Sequence, residues 1–364
     1  SSAASDVYKR QVLLAFLLFS CAGNTDRAKN GVKITATDAK TEQTEEYNDA
    51  VFSMTIPKGW KVTYGGSDIY HSIRISDPDE PLNCMFVLLK ADCLLHSQEG
   101  KDAWKAVYNE GNRDAVIFAN APVLEKPSTE SFFKIFAQYA DMASKFEAAY
   151  VGYSFPHYDN FTVTDRFSAS GDMVKYSLGD EFLRATFTDN GRAGEGMFSA
   201  SVVDFKESLY SDRTVADYGL ESVDSGYYMA YNIVAITAAK DTFIEWEDLL
   251  TECLKTLKYS DIFENNIRGA IERDFFQARC INQNFNQTMD GIMSSWDSRN
   301  KSIDIISQKQ SDATLGYERV YDTRTKEIYR AAKGFTSSYK GKGYKPVTDD
   351  NMYTTPISGY IEKD

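Results

Sequence analysis

Several short patterns in this chain approach chemistry, and each stops short of a complete set. Gly152-Tyr-Ser-Phe-Pro156 starts like a G-x-S-x-G nucleophile elbow, but Pro156 stands where the second glycine must allow the sharp turn. Ser131-Phe-Phe-Lys134 matches the S-x-x-K pairing of an activated serine, with Tyr158-Asp-Asn160 as a loose companion. No K-T-G follows, and both Ser131 and Lys134 sit on an apolar, helix-periodic stretch that reads as core. The three histidines, His71, His96 and His157, are far apart, and no C-x-x-C or H-E-x-x-H occurs. A metal and a cofactor are therefore not expected. Walker A, EF-hand and G-x-G-x-x-G patterns are missing as well. Carboxylates remain: the 53 Asp and Glu leave open a hydrolase that works through two facing acids.

The residue with the clearest chemistry is Cys21. Val12–Phe19 is a run of eight apolar residues, followed by Ser20-Cys21-Ala22-Gly23 and a polar stretch. Leu18-Phe19-Ser20-Cys21 resembles the lipobox of a bacterial lipoprotein signal peptide. The resemblance implies cleavage before Cys21, lipid on its thiol and on the new amino terminus, and a place in the cell envelope on the periplasmic or surface face. Residues 12–20 would be the remnant of the signal peptide. Residues 1–11 carry no initiator Met and read as translated adaptor sequence, outside any structural argument. Eight apolar residues are too few to cross a bilayer, which takes about 20.

Composition narrows the class. With 43% hydrophobic and 26% charged residues the chain is globular, and 23 Tyr with 22 Phe favour a β-rich core with wet edges. A net charge of −13 argues against a nucleic-acid partner, because that affinity rests on neutralising phosphates. Beyond Cys21, the cysteines Cys84, Cys93, Cys253 and Cys280 allow three disulfide pairings. Cys84 and Cys253 lie in apolar text and read as small core residues, so free buried thiols are preferred. About 340 residues after Cys21 suggest two domains.

Positioning elements follow from periodicity. Residues 21–49 are polar and poor in large apolar groups, and read as a flexible tether between lipid and domain. Strands are expected at Val51–Ile56, Lys61–Tyr64, Ile69–Ile75, Met85–Leu89, Phe161–Thr164, Met173–Ser177, Phe182–Phe187, Gly196–Val203 and Tyr227–Ala238. Asn190-Gly191 signals a hairpin, and the long apolar run at Tyr227 signals a central strand. Helices are expected at Ser131–Tyr150, at Ser97–Tyr108, and after Thr242-Phe-Ile-Glu245, which has the form of a capping box. Together these define an α+β domain over residues 50–259.

Phe52-x-Met-x-Ile-Pro-Lys-Gly-Trp60 at the start, with a long strand and the Trp246–Leu257 helix at the end, is similar to PsbP-like domains. That family occurs in photosystem II extrinsic proteins, a nuclear import factor and bacterial periplasmic lipoproteins. The resemblance spans residues 51–259 and rests on Phe52, Pro57, Gly59, Trp60 and the closing helix. It implies an α/β/α sandwich around an antiparallel sheet and a binding role, and it carries over no catalytic residue. This chain is longer than the family pattern around residues 96–165.

Residues 260–364 form a second part. From Ile262 to Ile306 apolar residues recur every three or four positions without proline, as in a long helix or a helical hairpin. The end of the chain is Tyr-rich and β-like, with a hairpin turning at Asp322–Lys326. Between Arg319 and Lys345 eight Lys/Arg stand against two acids. This local charge of +6 leaves −19 on the rest of the chain. The candidate set for an anionic partner is Arg319, Arg324, Arg330, Lys333, Lys340, Lys342 and Lys345. Two readings stay open: a solvated hairpin whose charges answer the acidic domain, or a surface for an anionic envelope polymer, lipid headgroup or protein. The expected function is binding or assembly at the envelope, with a paired-carboxylate hydrolase as the alternative.

Overall fold

The computed structural model describes residues 32–36, 42–168, 178, 181–205, 223–272, 309, 312–349, 352–353, 355 and 357–363. The chain forms two compact units, one of residues 38–315 and one that joins residues 1–37 to 316–364. The first strands are β1 (Val32–Ala36), β2 (Thr44–Asn48), β3 (Phe52–Pro57), β4 (Lys61–Gly65), β5 (Ser72–Ser76) and β6 (Cys84–Leu95). Then come helices α1 (Gln98–Asn109), α2 (Val116–Asn120) and α3 (Thr129–Phe146). Four long strands follow: β7 (Asp159–Ser168), β8 (Glu181–Asp189), β9 (Arg192–Phe205) and β10 (Tyr227–Ala239). Helix α4 (Phe243–Lys255), strand β11 (Lys258–Tyr259) and helix α5 (Asp261–Glu272) come next. The chain ends with β12 (Tyr317–Asp322), β13 (Ile328–Ala332), helix α6 (Phe335–Ser338), β14 (Tyr344–Pro346) and β15 (Ile357–Lys363).

The larger unit is built on a seven-stranded antiparallel sheet in the order β4-β5-β6-β10-β9-β8-β7. Two meanders meet where β6 pairs with β10, so these two strands are central and buried on both faces. Alternation sorts their side chains. Met85, Val87, Leu89, Val234, Ile236 and Ala238 point to one face, where Trp246, Leu250 and Leu254 of α4 and Phe52, Met54 and Ile56 of β3 cover them. Phe86, Leu88, Ile233 and Ala235 share the other face with Phe132, Phe133, Phe136 and Tyr139 of α3. A bulge at Asn232, whose φ is +51°, resets the alternation between the two halves of β10. A third cluster joins Trp104, stacked on Phe118 at 4.5 Å, to Leu95 and Tyr227. The class is α+β, antiparallel sheets flanked by helices, as expected.

Local chemistry places these elements. Ser128 caps α3 by accepting from the Ser131 amide at 3.1 Å, and Ser97 does the same for α1 through Gly100 at 3.0 Å. The β8–β9 hairpin turns at Asn190 and Gly191, both with positive φ, as a type I′ turn requires. Helix α4 departs from expectation. Thr242 forms no capping box, since its hydroxyl donates back to the Ala239 carbonyl at 2.9 Å. The turn out of β10 takes up the hydroxyl first.

Within residues 21–49, read above as a flexible tether, two segments are strands. Thr44–Asn48 pairs with β3, and Val32–Ala36 pairs with β15 in the smaller unit. β1 alternates apolar and polar residues and β2 is polar; both pair through ladder hydrogen bonds, and Tyr47 of β2 also packs against Phe52 at 5.0 Å. The hydropathy reading passed over them because β pairing needs little apolar surface at an edge. The smaller unit is a five-stranded sheet, β1-β15-β13-β12-β14, in which β13 and β15 run parallel. Its core is Val320, Tyr329, Ala331, Phe335 and Ile361.

Cys84, Cys93 and Cys253 are buried and free, and burial raises all three thiols, Cys253 to about 11. Helix α5 covers the start of the expected long helix, with Phe263 and Ile267 against the larger core. The expected signal segment 12–20, Cys21, the expected strand at Met173–Ser177, Cys280 and the expected helix beyond Glu272 lie outside the described residues. No described helix is long and apolar enough to cross a membrane.

Candidate functional site

The basic text of the C-terminal segment becomes a surface because two turns are clasped together. β12 and β13 pair so that their connecting turn lies at one end of the small sheet, and β14 begins at the same end, with Tyr344 opposite Asp322. The Thr323 amide and hydroxyl both donate to the Gly343 carbonyl, at 2.8 and 3.0 Å. This clasp joins the turn carrying Arg324 and Lys326 to the segment carrying Lys340, Lys342 and Lys345, and all five are exposed. Lys345 stands opposite Tyr321 in the ladder, and Lys326 Nζ lies 5.5 Å from the centre of the same ring. Tyr344 lies on the other face of the sheet, packed on the small core 5.5 Å from Tyr339 and 6.5 Å from Tyr329.

The nearby acids are committed to the scaffold. Asp322 accepts from the Arg324 and Thr325 amides at 2.7 and 3.2 Å and shapes the turn. Glu327 accepts from the Tyr329 hydroxyl at 2.7 Å. Glu318 receives the Gly334 amide at 3.0 Å and the Thr336 amide at 2.5 Å, capping α6. Burial, reinforced by Asp322, raises the Tyr344 phenol, which stays a neutral donor near pH 7.

Three of the seven candidates do not belong to this surface. Arg319 and Arg330 are buried cross-strand partners, each over a tyrosine ring, Tyr353 at 4.5 Å and Tyr317 at 5.6 Å. Arg319 also donates to the Tyr353 carbonyl at 3.1 Å. Strand alternation puts both on the face opposite Val320 and Tyr329 of the small core, and there they are covered as well. Lys333 is exposed but follows β13 at the opposite end of the sheet, where its amide bonds Gly316. Lys326, counted in the basic run but left out of the candidate set, joins the cluster. Its place in the same turn as Arg324 was the available signal.

The larger unit holds a second polar cluster that motif reading did not find. Lys90 of β6 is 1% exposed, and its ammonium lies 3.0 Å from Asp92 and 3.3 Å from the Tyr70 hydroxyl. Tyr70 in turn donates to Asp92 at 2.7 Å. The Lys90 ammonium sits 5.0 Å from the Tyr70 ring centre and 5.9 Å from that of Tyr231. Glu147, at the end of α3, faces this group. Burial, then the Asp92 charge, raises its carboxyl to about 7, against a smaller opposing pull from Lys90. Lys90 and Asp92, two apart in a strand, share a face, which was the readable hint.

The pocket beside edge strand β7, about 310 Å³, is lined by Glu130, Lys134 and residues Phe161–Arg166. Its two acids are already engaged. Burial pushes Glu130 up, but hydrogen bonds from Lys134 and Arg166 outweigh it and hold the carboxyl low, and Asp165 accepts the Arg166 amide at 2.8 Å. The S-x-x-K pattern is likewise dispersed. Lys134 binds Glu130 at 2.5 Å, while Ser131 meets Ser128 at 3.0 Å. Among the described residues no group of three or more His, Cys, Asp and Glu is arranged to hold a metal ion. No protein-family model matches the chain, and no curated protein matches it.

Proposed function

We propose that this is a lipid-anchored protein of the bacterial cell envelope that binds an anionic envelope polymer through the basic end of its smaller unit. It acts by binding or assembly, with a PsbP-like larger unit as scaffold and the lipid on Cys21 as address. One observation supports the reading: five exposed cations lie in the two segments, 324–326 and 340–345, that the Thr323–Gly343 bonds join, while Asp322 turns the backbone and Glu318 caps a helix. The remaining chain is strongly negative, so attraction for a polyanion concentrates at this end.

The full chain with Cys21→Ser, and the same chain with Lys340→Glu, Lys342→Glu and Lys345→Glu added, provides the test. Polyphosphate and a polyuronate serve as probes at low salt. Exposed ion pairs contribute roughly 0.2–1 kcal/mol each, so three reversals should weaken binding at least about tenfold with the thermal melt unchanged. Equal binding by the two proteins at low salt would reject the surface. The anchor is tested separately by mass spectrometry of the chain made in a bacterium, where an unmodified Cys21 in the mature protein rejects it.

A further inference from the structure

We propose that Glu147 is the catch of a proton-operated latch that holds the Gly66–Tyr70 loop of the larger unit against the end of α3. The proposal is independent of the anionic surface and rests on three features of this corner.

The loop and the end of the helix are joined tightly. The Gly66 amide donates to the Ala149 carbonyl at 2.8 Å, and the Tyr150 hydroxyl donates to the Tyr70 carbonyl at 2.6 Å. Gly66 has φ +77°, and a Cβ there would collide with the Tyr70 carbonyl and the Tyr150 ring, so the two segments meet without side-chain padding.

The charge at this corner is held by few groups. From β6, Lys90, Asp92 and the buried Cys93 thiol face Glu147. The loop contributes the Tyr70 phenol, α3 the Tyr139 phenol, and the following turn the Tyr150 phenol. All four of Cys93, Tyr70, Tyr139 and Tyr150 are raised, burial first, and stay neutral near pH 7. Lys90 and Asp92 already pair, one positive charge against one negative.

A carboxylate at Glu147 therefore adds a second negative charge with no second cation. Its Oε1 is buried and accepts no hydrogen bond, so the ionised form is poorly solvated while the corner is closed. A protonated Glu147 fits the closed corner. An ionised one is better served by water, which it reaches when the loop lifts. Closure is thus favoured below neutral pH and lost as pH rises through about 7.

Hydrogen exchange of the full chain, read by mass spectrometry and corrected for intrinsic rates, tests this. Peptides spanning residues 66–70 and 147–153 are compared with β10 as reference. From pH 5.5 to 8 their opening equilibrium should rise on the order of tenfold while β10 stays constant. Glu147→Gln, which mimics the protonated acid, should keep the loop protected at both values. Tyr150→Phe, which removes the 2.6 Å bond, should lower protection at both values and retain the pH trend. Equal protection of the wild-type loop at both values, or the same pH trend in Glu147→Gln, overturns the latch.

Discussion

Replacing His71 with Gln should change how stability depends on pH, with a sign and size that follow from the structure. His71 is 3% exposed, ringed by Phe52, Tyr64, Tyr259 and Phe263, and its Nδ1 reaches only the Tyr259 hydroxyl at 3.4 Å. Burial lowers its pKa from 6.5 to about 4, against a weaker raising pull from Asp49. The unfolded chain therefore binds the proton first as pH falls, and folding loses stability between 6.5 and 4. From pH 7 to 5 that loss is about 2 kcal/mol. Glu147 works in the opposite direction. Its pKa is raised from 4.5 to about 7, so the folded chain binds the proton first and gains stability as pH falls. Glu147 is partly exposed, and solvent screening limits that gain to about 1–2 kcal/mol over the same interval. The wild-type protein thus balances two opposed slopes. Urea unfolding followed by tryptophan fluorescence reads the larger unit, because Trp60, Trp104 and Trp246 are buried in its clusters. Relative to wild type, His71→Gln should gain about 2 kcal/mol between pH 7 and 5, and Glu147→Gln should lose about 1–2. The double variant should return to the wild-type profile. A constant offset between His71→Gln and wild type across this range refutes the reasoning.

Two further perturbations test packing. Gly66→Ala forces a Cβ into the Tyr70 carbonyl at positive φ, and should lower stability of the larger unit by roughly 2–4 kcal/mol, measured as the shift in urea midpoint. Arg184→Met should cost about 3–5 kcal/mol by the same assay. Arg184 donates to Glu195 at 2.7 Å and approaches Glu247 at 3.5 Å, and its loss leaves Glu195, 2% exposed, without that cation. Replacing Arg184, Glu195 and Glu247 together by apolar residues should recover much of that loss.

The larger unit was legible where burial is two-sided. The nearly continuous apolar text of Tyr227–Ala238 suits a strand covered on both faces, and Asn190-Gly191 suits a tight hairpin. The helix at Ser131 announced itself through aromatic spacing, and Ser128 set its first turn. What stayed hidden had little apolar signal or depended on long-range pairing. Val32-Lys-Ile-Thr-Ala36 is ordered by a partner more than three hundred residues away, and Thr44–Asn48 by β3. The positive φ values of Cys93 and Asn232 are set by ladder register and leave no mark on composition. The basic set was visible as charge, but its division was not. Arg319 and Arg330 sit opposite each other on the face away from Val320 and Tyr329 and are covered there, whereas Arg324 is exposed in a turn. Lys90 shows the same limit, since a lysine in a strand is normally read as solvated.

Pairing Val32 with Lys363 ties the order of folding to the order of synthesis. Every strand of the larger sheet is made before β12 emerges, so that unit can fold while the chain is still growing. The smaller sheet must wait, because β1 has its partner in β15, made more than three hundred residues later. Until β15 arrives, β1 is a strand without a ladder, and closing a loop of that length carries a large entropic cost in an unfolded chain. Deletion of β15 would consequently leave the larger unit intact and strand β1 unpaired, an open edge of the kind that invites intermolecular pairing.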